Sequence, residues 1–457
     1  MGYGKSENSG RNMFSDLDRG WSWMILFASF SSFFLLGGLI NSVGVIHSVL
    51  LEKYKESVSL TAWVGSLHSA LLLFGAPVSS IVTDRFSCRV AIVLSGIFFI
   101  IGYLGTAFAT NVRVAILTCG IIGGIGAGLG CNASLVVIGF NFDKRRDLAL
   151  GISLSGVGTG VFVLAPLMQA TRDYYGSIGF FVILAAMSAN IVTCGMLCFP
   201  SQMERHAKSE RNRDRLRSKL SSNNNHFFAV IRTYVSVLAN RGVILMCSSF
   251  FIYSIGSFLV YLHLPHYIES KGHSGAQAAF LVALIGIISA VSRILTGLVA
   301  NTHRIDNVII YSVSIAIFGS ATLVYPFIAD NYSGHVIYVC FVGLFYGCCY
   351  VVSAGVHVNF VGINYISSAV GLQFFCGGAG GIIGPVFAGV LVDQGGTYNQ
   401  SIIVAACCLL ISSILGAVLL CIPKPAIIKD APSDKCKTDG DECETTFDLN
   451  DDDNKRL

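Results

Sequence analysis

The run Arg89-Val-Ala-Ile-Val-Leu-Ser-Gly-Ile-Phe-Phe-Ile-Ile-Gly-Tyr-Leu-Gly-Thr-Ala-Phe-Ala109 carries no charged side chain after its first residue. Twenty helical residues at 1.5 Å each reach about 30 Å, the thickness of the hydrocarbon core of a bilayer. Reading outward, similar runs occur near 21–49, 62–83, 113–139, 148–171 and 178–199. After a polar stretch they resume near 241–263, 277–300, 307–328, 335–359, 365–391 and 399–422. The runs are continuous and lack the alternation that barrel strands need. Composition agrees: of 457 residues 53% are hydrophobic and only 12% charged, against about 25% charged in a soluble domain. Mean hydropathy is +0.68. These values exclude a soluble enzyme, a disordered chain and a nucleic-acid binder. The chain reads as an all-α, polytopic membrane protein of twelve spans.

The net charge of +4 is unevenly placed. One side of the predicted topology holds Arg85 and Arg89, then Lys144, Arg145 and Arg146, then a 200–240 segment with Arg205, Lys208, Arg211, Arg213, Arg215, Arg217 and Lys219. The other side has scattered cations such as Lys53, Lys55, Arg113, Arg172 and Lys271. The positive-inside bias makes the basic side cytoplasmic, and an even number of spans places both termini there. The expected organisation is an N-terminal tail (1–20), a six-helix bundle (21–199), a basic loop (200–240), a second bundle (241–422) and an acidic tail (423–457) ending in Asp451-Asp452-Asp453. The first twenty residues do not resemble a cleavable signal peptide. The fifteen cysteines suggest no disulfide framework, and no His/Cys cluster has metal-ligand spacing.

The halves echo each other weakly. Ser80-x3-Asp84-Arg85 is matched by Gly297-x3-Asn301, and Ala149-x-Gly151 by Ala369-x-Gly371. Two pseudo-symmetric six-helix bundles around a midplane site describe the major facilitator type of secondary transporter.

Two further stretches make the resemblance specific. Asp18-Arg19-Gly20-Trp21-Ser22-Trp23 opens the first span, and Phe142-Asp143-Lys144-Arg145-Arg146-Asp147-Leu148-Ala149-Leu150-Gly151 opens the fifth. Together they resemble the paired signature motifs of the monocarboxylate transporter family. Leu164-Ala165-Pro166-Leu167, Gly297-Leu298-Val299-Ala300-Asn301 and Ser367-Ser368-Ala369-Val370-Gly371-Leu372 are similar to it too, and the resemblance covers about residues 16–422. There are departures. Lactate-type members carry a Lys in the first span where this chain has Asn41, and an Asp four residues before an Arg in the eighth span, where Ser289 precedes Arg293.

Embedded charge is the most informative feature, because an ionised side chain at the bilayer centre costs about 2.5–3.5 kcal/mol even on lenient scales. Arg293 is the cation well inside a predicted span, and no Asp or Glu lies away from a span end. It either snorkels to the cytoplasmic face or receives an arriving carboxylate in a bidentate pair. The resemblance places a substrate-contacting Arg at this position and favours the second role. Asn41 and Ser289 then stand where the family's proton-handling pair would be. His47, His68, His263 and His357 titrate in a suitable range, although packed or interfacial histidines are the plainer reading.

Asp84-Arg85 falls where major facilitator proteins form a charge relay, and Lys144-Arg145-Arg146 either acts similarly or simply follows the positive-inside bias. Gly120-x2-Gly123-Gly124-x-Gly126-x-Gly128-x-Gly130 reads as helix packing, not a nucleotide loop.

The expected function is transport of a small organic anion or carboxylate-bearing zwitterion across the plasma membrane by alternating access, away from proton–lactate coupling. No cofactor, catalytic residue or nucleic acid is implied. The bilayer is the partner, and some relatives need a single-span immunoglobulin-like chaperone. Two rival readings stay open: a transporter-like sensor without flux, and a proton-coupled monocarboxylate symporter that uses a histidine. A channel lacks its polar lining here, and a membrane enzyme its clustered acid, base, metal or nucleophile.

Overall fold

The computed structural model describes residues 14–41, 43–221, 234–393 and 398–423. The acidic tail expected after Pro425 lies outside the described residues. Among those described, regular structure is helical, and polar residues at the breaks set where helices start. α1 (Trp21–Asn41) and α2 (Val43–Tyr54) lead to α3 (Val58–Phe74), whose N-cap Ser57 accepts from the Leu60 amide. α4 (Ala76–Arg85) follows, then α5 (Cys88–Ala107), capped by Ser87. α6 (Val112–Ala115), a π-helical turn (Ile116–Ile122) and α7 (Gly123–Asn141) form one continuous rod.

α8 (Arg146–Leu197) and α9 (Gln202–Ser221) complete the first half. The second half holds α10 (Arg241–Ser270), α11 (Gly275–Asn301), α12 (Asn307–Ile328), α13 (Tyr332–Tyr346), α14 (Cys348–Val361), α15 (Ile366–Asp393) and α16 (Tyr398–Val418). Ser274 and Gln277 close a reciprocal capping box at the start of α11.

Ten helices are long and apolar enough to cross a membrane, and the bent α3–α4 pair makes eleven. The 52-residue α8 is far too long for one crossing: it would extend about 78 Å against a core of about 30 Å. It breaks at Gly176, whose φ of 63° and ψ of −171° suit glycine alone. Its two legs are the fifth and sixth spans, so the described helices account for twelve crossings.

The structure revises several boundaries. The polar gap expected between 171 and 178 is a one-residue break in a helix. The second span bends by 46° at Gly75, where Pro77 removes a backbone donor and Gly75 packs on Gly128 Cα. The 200–240 segment is not simply a loop, because α9 and a short helix at 234–238 occupy much of it.

Packing uses small residues throughout, as expected where the bilayer supplies no hydrophobic drive between helices. Gly120, Gly124 and Gly128 face α3, while Gly126 and Gly130 meet Ser95 and Phe98 of α5. Gly156 and Gly160 of α8 lie against the backbone of Phe30 and Phe34 in α1. One apolar core runs through the first half and another through the second, and Val351, Ala354, Ile366 and Val370 extend the first core across the seam. Phe27, Phe162, Phe280 and Ile414 face outward, as a lipid-contacting surface requires.

The α1–α8 contact has no spare room. Gly156→Leu should push these helices apart and lower the detergent-solubilised melting temperature by several degrees, in line with overpacking costs of about 1–3 kcal/mol. Ile414→Leu, on an exposed face, should leave it unchanged.

Candidate functional site

Arg293 lies on α11, eight residues before its end at Asn301, and is only 7% exposed. Its Nη1 donates to the Leu154 carbonyl of α8 at 2.8 Å. Leu154 is itself eight residues from the start of α8, so the guanidinium reaches sideways to the other half at its own depth. It does not snorkel. The guanidinium carbon lies 6.0 Å from the Tyr350 ring centroid, a cation–π arrangement that partly replaces lost hydration. Its Nε is buried without a hydrogen-bond partner.

Ser289, one helical turn earlier, is also buried, and its Oγ has no partner either. Both atoms face Gly347: a Cβ there would stand 2.6 Å from Arg293 Nε and 2.8 Å from Ser289 Oγ. Gly347 sits at the junction of α13 and α14, and its missing side chain lets both side chains pack closely against it. The surrounding wall is aromatic. Tyr346 packs on Tyr261 with centroids 4.8 Å apart and on Tyr350 at 5.9 Å, and Tyr350 stacks on Phe374 at 6.5 Å. Among the described residues, no carboxylate forms an ion pair with Arg293. Asn41 ends α1, and its side chain lies outside the described residues.

The residues expected to couple conformational change divide into two groups. Asp84 joins the halves: Oδ2 accepts from Ser368 of α15 at 3.0 Å and Oδ1 from Arg211 Nη1 at 2.8 Å. Arg211 comes from α9 and also donates to the Asn364 carbonyl at 2.9 Å. Both side chains of this ion pair are at least nine-tenths buried. Arg85 is exposed beside the Phe86 ring, so the charge that meets Asp84 is Arg211 and not its sequence neighbour. Tyr234, from the far end of the linking segment, donates to the Pro77 carbonyl and touches Ser80.

Lys144, Arg145 and Arg146 do something else. The backbone N–H groups of Asp143, Lys144 and Arg145 converge on the Asp18 carboxylate at 3.0–3.2 Å. Arg145 lies over Trp23, and Arg146 Nε donates to the Phe142 carbonyl. The two signature stretches therefore clamp one another within the first half, and the basic cluster does not bridge to the second. The bridge there is Asp147, which accepts from Asn307 of α12 at 3.1 Å.

The glycines complete the seam. Gly151 and Gly297 approach backbone to backbone, as do Gly158 and Gly286, and Gly371 lies on Ser80. Phe74 and Phe375 meet edge to face at 5.1 Å. Except for Gly158–Gly286, these seam contacts lie in the half of the spans nearest the basic end, where the two halves are packed together. Arg211, Asp147 and Gly347 were not singled out from sequence: Arg211 was one cation in a basic stretch, and Gly347 an unremarked glycine within an apolar run.

Two outcomes follow from this geometry. Arg211→Ala breaks the buried Asp84–Arg211 pair, a change that costs about 3–5 kcal/mol. Hydrogen–deuterium exchange should rise at 76–86 and 363–370 and stay constant in α12. Gly347→Ala should lower uptake at least tenfold, because its methyl group collides with the Arg293 and Ser289 side chains and displaces them.

Comparison with known proteins agrees with this architecture. The sequence pattern of the Major Facilitator Superfamily matches residues 23–385. The chain is 30% identical over 405 residues to monocarboxylate transporter 3 of Gallus gallus, covering 84% of this chain and 75% of that one. It is 27% identical over 415 residues to monocarboxylate transporter 12 of Homo sapiens, covering 87% and 80%. Among solved structures, FucP in the outward conformation superposes with a TM-score of 0.67 at 14% identity, covering 88% of this chain and 99% of that one. The proton:xylose symporter XylE bound to 6-bromo-6-deoxy-D-glucose gives 0.65 at 15%, covering 88% and 96%. The chain is a multi-pass membrane transporter, not an enzyme, and it belongs to the monocarboxylate transporter family of the Major Facilitator Superfamily.

Proposed function

We propose that this protein carries a small monocarboxylate, or another carboxylate-bearing solute, across the plasma membrane by alternating access. Arg293 holds the substrate carboxylate, and transport does not use the family's usual proton–lactate coupling. The observation that carries this reading is a buried guanidinium at the seam with an unpartnered Nε and, among the described residues, no ion-paired carboxylate. A carboxylate is the planar, bidentate acceptor that such a group selects. Ser289 supplies a neighbouring hydroxyl, and Asn41 belongs to the same set by its place in the family pattern.

The basic end faces the cytoplasm with both termini, following the bias of Lys and Arg. Asp84, Arg211 and Asp147 then form the cytoplasmic latch that opens to release substrate inward. The histidines support a symport reading poorly. His68 is tied to the Cys119 carbonyl at 3.0 Å, and His357 to Gln373 at 2.8 Å, both in packed interior positions.

The test is uptake into proteoliposomes of labelled lactate, pyruvate, aromatic amino acids, creatine and carnitine, with and without an inward proton gradient. A gradient-insensitive flux of one carboxylate should fall at least tenfold in Arg293→Ala, as loss of a charged hydrogen-bond partner of about 1.5–3 kcal/mol requires. Ser289→Asp places a carboxylate one turn from Arg293 and should make the remaining flux rise with the proton gradient. Binding of a panel member without flux would favour the sensor reading. Flux untouched in Arg293→Ala would remove the anchor.

A further inference from the structure

A groove of about 570 Å³ opens at the basic end of the first half, lined by Ser15, Asp16, Arg19, Trp21, Asn141 and Phe199 among others. It lies where α1 begins and α8 ends, outside the seam between the halves. Its volume falls in the range of small-ligand sites. We infer that this groove binds the headgroup of a phosphatidylethanolamine from the surrounding leaflet. This inference does not depend on the proposed substrate.

The apolar side of the groove lies at the membrane boundary. Trp21 and Phe199 are 48% and 46% exposed, and Trp23, Met24 and Phe27 extend that exposed surface along α1. Tryptophans placed at a span terminus sit at the level of lipid headgroups. Trp21 is fixed there, because its Nε1 donates to the Leu197 carbonyl at 2.9 Å and its ring meets Phe199 edge to face. Arg89 covers the Phe199 ring at 4.5 Å and adds positive charge to this wall. Acyl chains thus have an apolar surface continuous with the groove.

The polar side holds one cation and one anion. Arg19 is exposed in the groove and matches a phosphodiester. Asp16 is held in place: Oδ2 accepts from the Gln202 amide at 2.8 Å, and its backbone carbonyl accepts from Ser22 at 2.8 Å. Its Oδ1 is buried and has no hydrogen-bond partner. A carboxylate oxygen in that position calls for a hydrogen-bond donor, best a cationic one. A primary ammonium provides one and a phosphodiester beside it pairs with Arg19. A quaternary choline cannot donate, and a glycerol headgroup brings no positive charge to Asp16. The ethanolamine zwitterion matches both groups.

The test is native mass spectrometry of the delipidated full-length protein. It is titrated in turn with phosphatidylethanolamine, phosphatidylserine, phosphatidylcholine and phosphatidylglycerol of one acyl composition. The expected result is one lipid retained with roughly fivefold preference for ethanolamine over choline, a modest return for one charge-assisted hydrogen bond. Asp16→Asn should abolish the preference, Arg19→Gln should weaken both lipids alike, and Ser15→Trp should displace the lipid by filling the groove. Ser15 and Arg19 are exposed, so those two variants carry the test if Asp16→Asn does not fold. Equal retention of ethanolamine and choline lipids, or a preference that survives in Asp16→Asn or binding that survives in Ser15→Trp, would overturn the assignment. Tighter binding of the glycerol or serine lipid would do so as well, by showing a site for net negative charge.

Discussion

A permanently charged guanidinium held inside the membrane constrains everything around it. Arginine does not deprotonate at physiological pH, so Arg293 cannot escape its burial cost by neutralisation, as a buried lysine can. The structure offers it one carbonyl, from Leu154, and one aromatic face, from Tyr350. Both are incomplete substitutes for water. Such a group is tolerable at a seam that opens to solvent during the working cycle, and costly anywhere else. Its position at the seam is therefore part of its chemistry. Because the carbonyl belongs to the opposite half, separating the halves breaks that bond. If Arg293 is the proposed anchor, a bound carboxylate acts on the conformational equilibrium only through its unequal affinity for the open and closed arrangements.

The same reasoning bears on the contacts proposed as a latch, which are buried polar pairs. The Asp84–Arg211 pair adds little net stability, since desolvating two charges offsets most of their attraction. What it supplies is directionality. Each member becomes expensive if left dry and alone, so the arrangement is either formed or fully hydrated, with little in between. Arg211 also grips the Asn364 carbonyl of the second half, while Tyr234 holds Pro77 from the other end of the linker. The linking segment thereby becomes a component of the closure, joining α4 to the start of α15. Glycine pairs along the seam bring backbones close enough for these short polar contacts to form.

How much of this was legible in the sequence depended on the range of the interaction concerned. Spans were legible because a bilayer imposes a local rule on about twenty residues at a time. The breaks within them were not. The bend at Gly75 answers Gly128, over fifty residues away, and the single-residue turn at Gly176 carries no polar signal stronger than its neighbours. Arg293 could be found because a charge in an apolar run is conspicuous. Arg211 could not, since one cation in a basic stretch looks like any other until its partner is placed. Asp84 and Arg85 were singled out together, and the structure pairs Asp84 with Arg211 while Arg85 lies exposed beside Phe86. The cluster at 144–146 stood out by its charge, whereas the contacts with Asp18 are made by backbone amides of residues 143–145, which no side-chain pattern reveals.

Ser289 and Asn41 bear on how such a carrier is energised. An acid one turn from Arg293 would gain and lose a proton within the working range, and its ionised form would neutralise the guanidinium between turnovers. With a hydroxyl in its place the site keeps one charge state at every accessible pH. The empty site is cationic, a bound anion makes it neutral, and a bound zwitterion leaves its charge unchanged. Charge balance across the cycle then falls to the substrate, and the membrane potential acts directly, at about 2.3 kcal/mol per elementary charge per 100 mV. On the same proposal, a proton gradient has no corresponding handle among the described residues of this site. On the anchor reading, the loss of a single carboxylate beside Arg293 shifts the natural driving force from proton concentration to substrate gradient and membrane voltage.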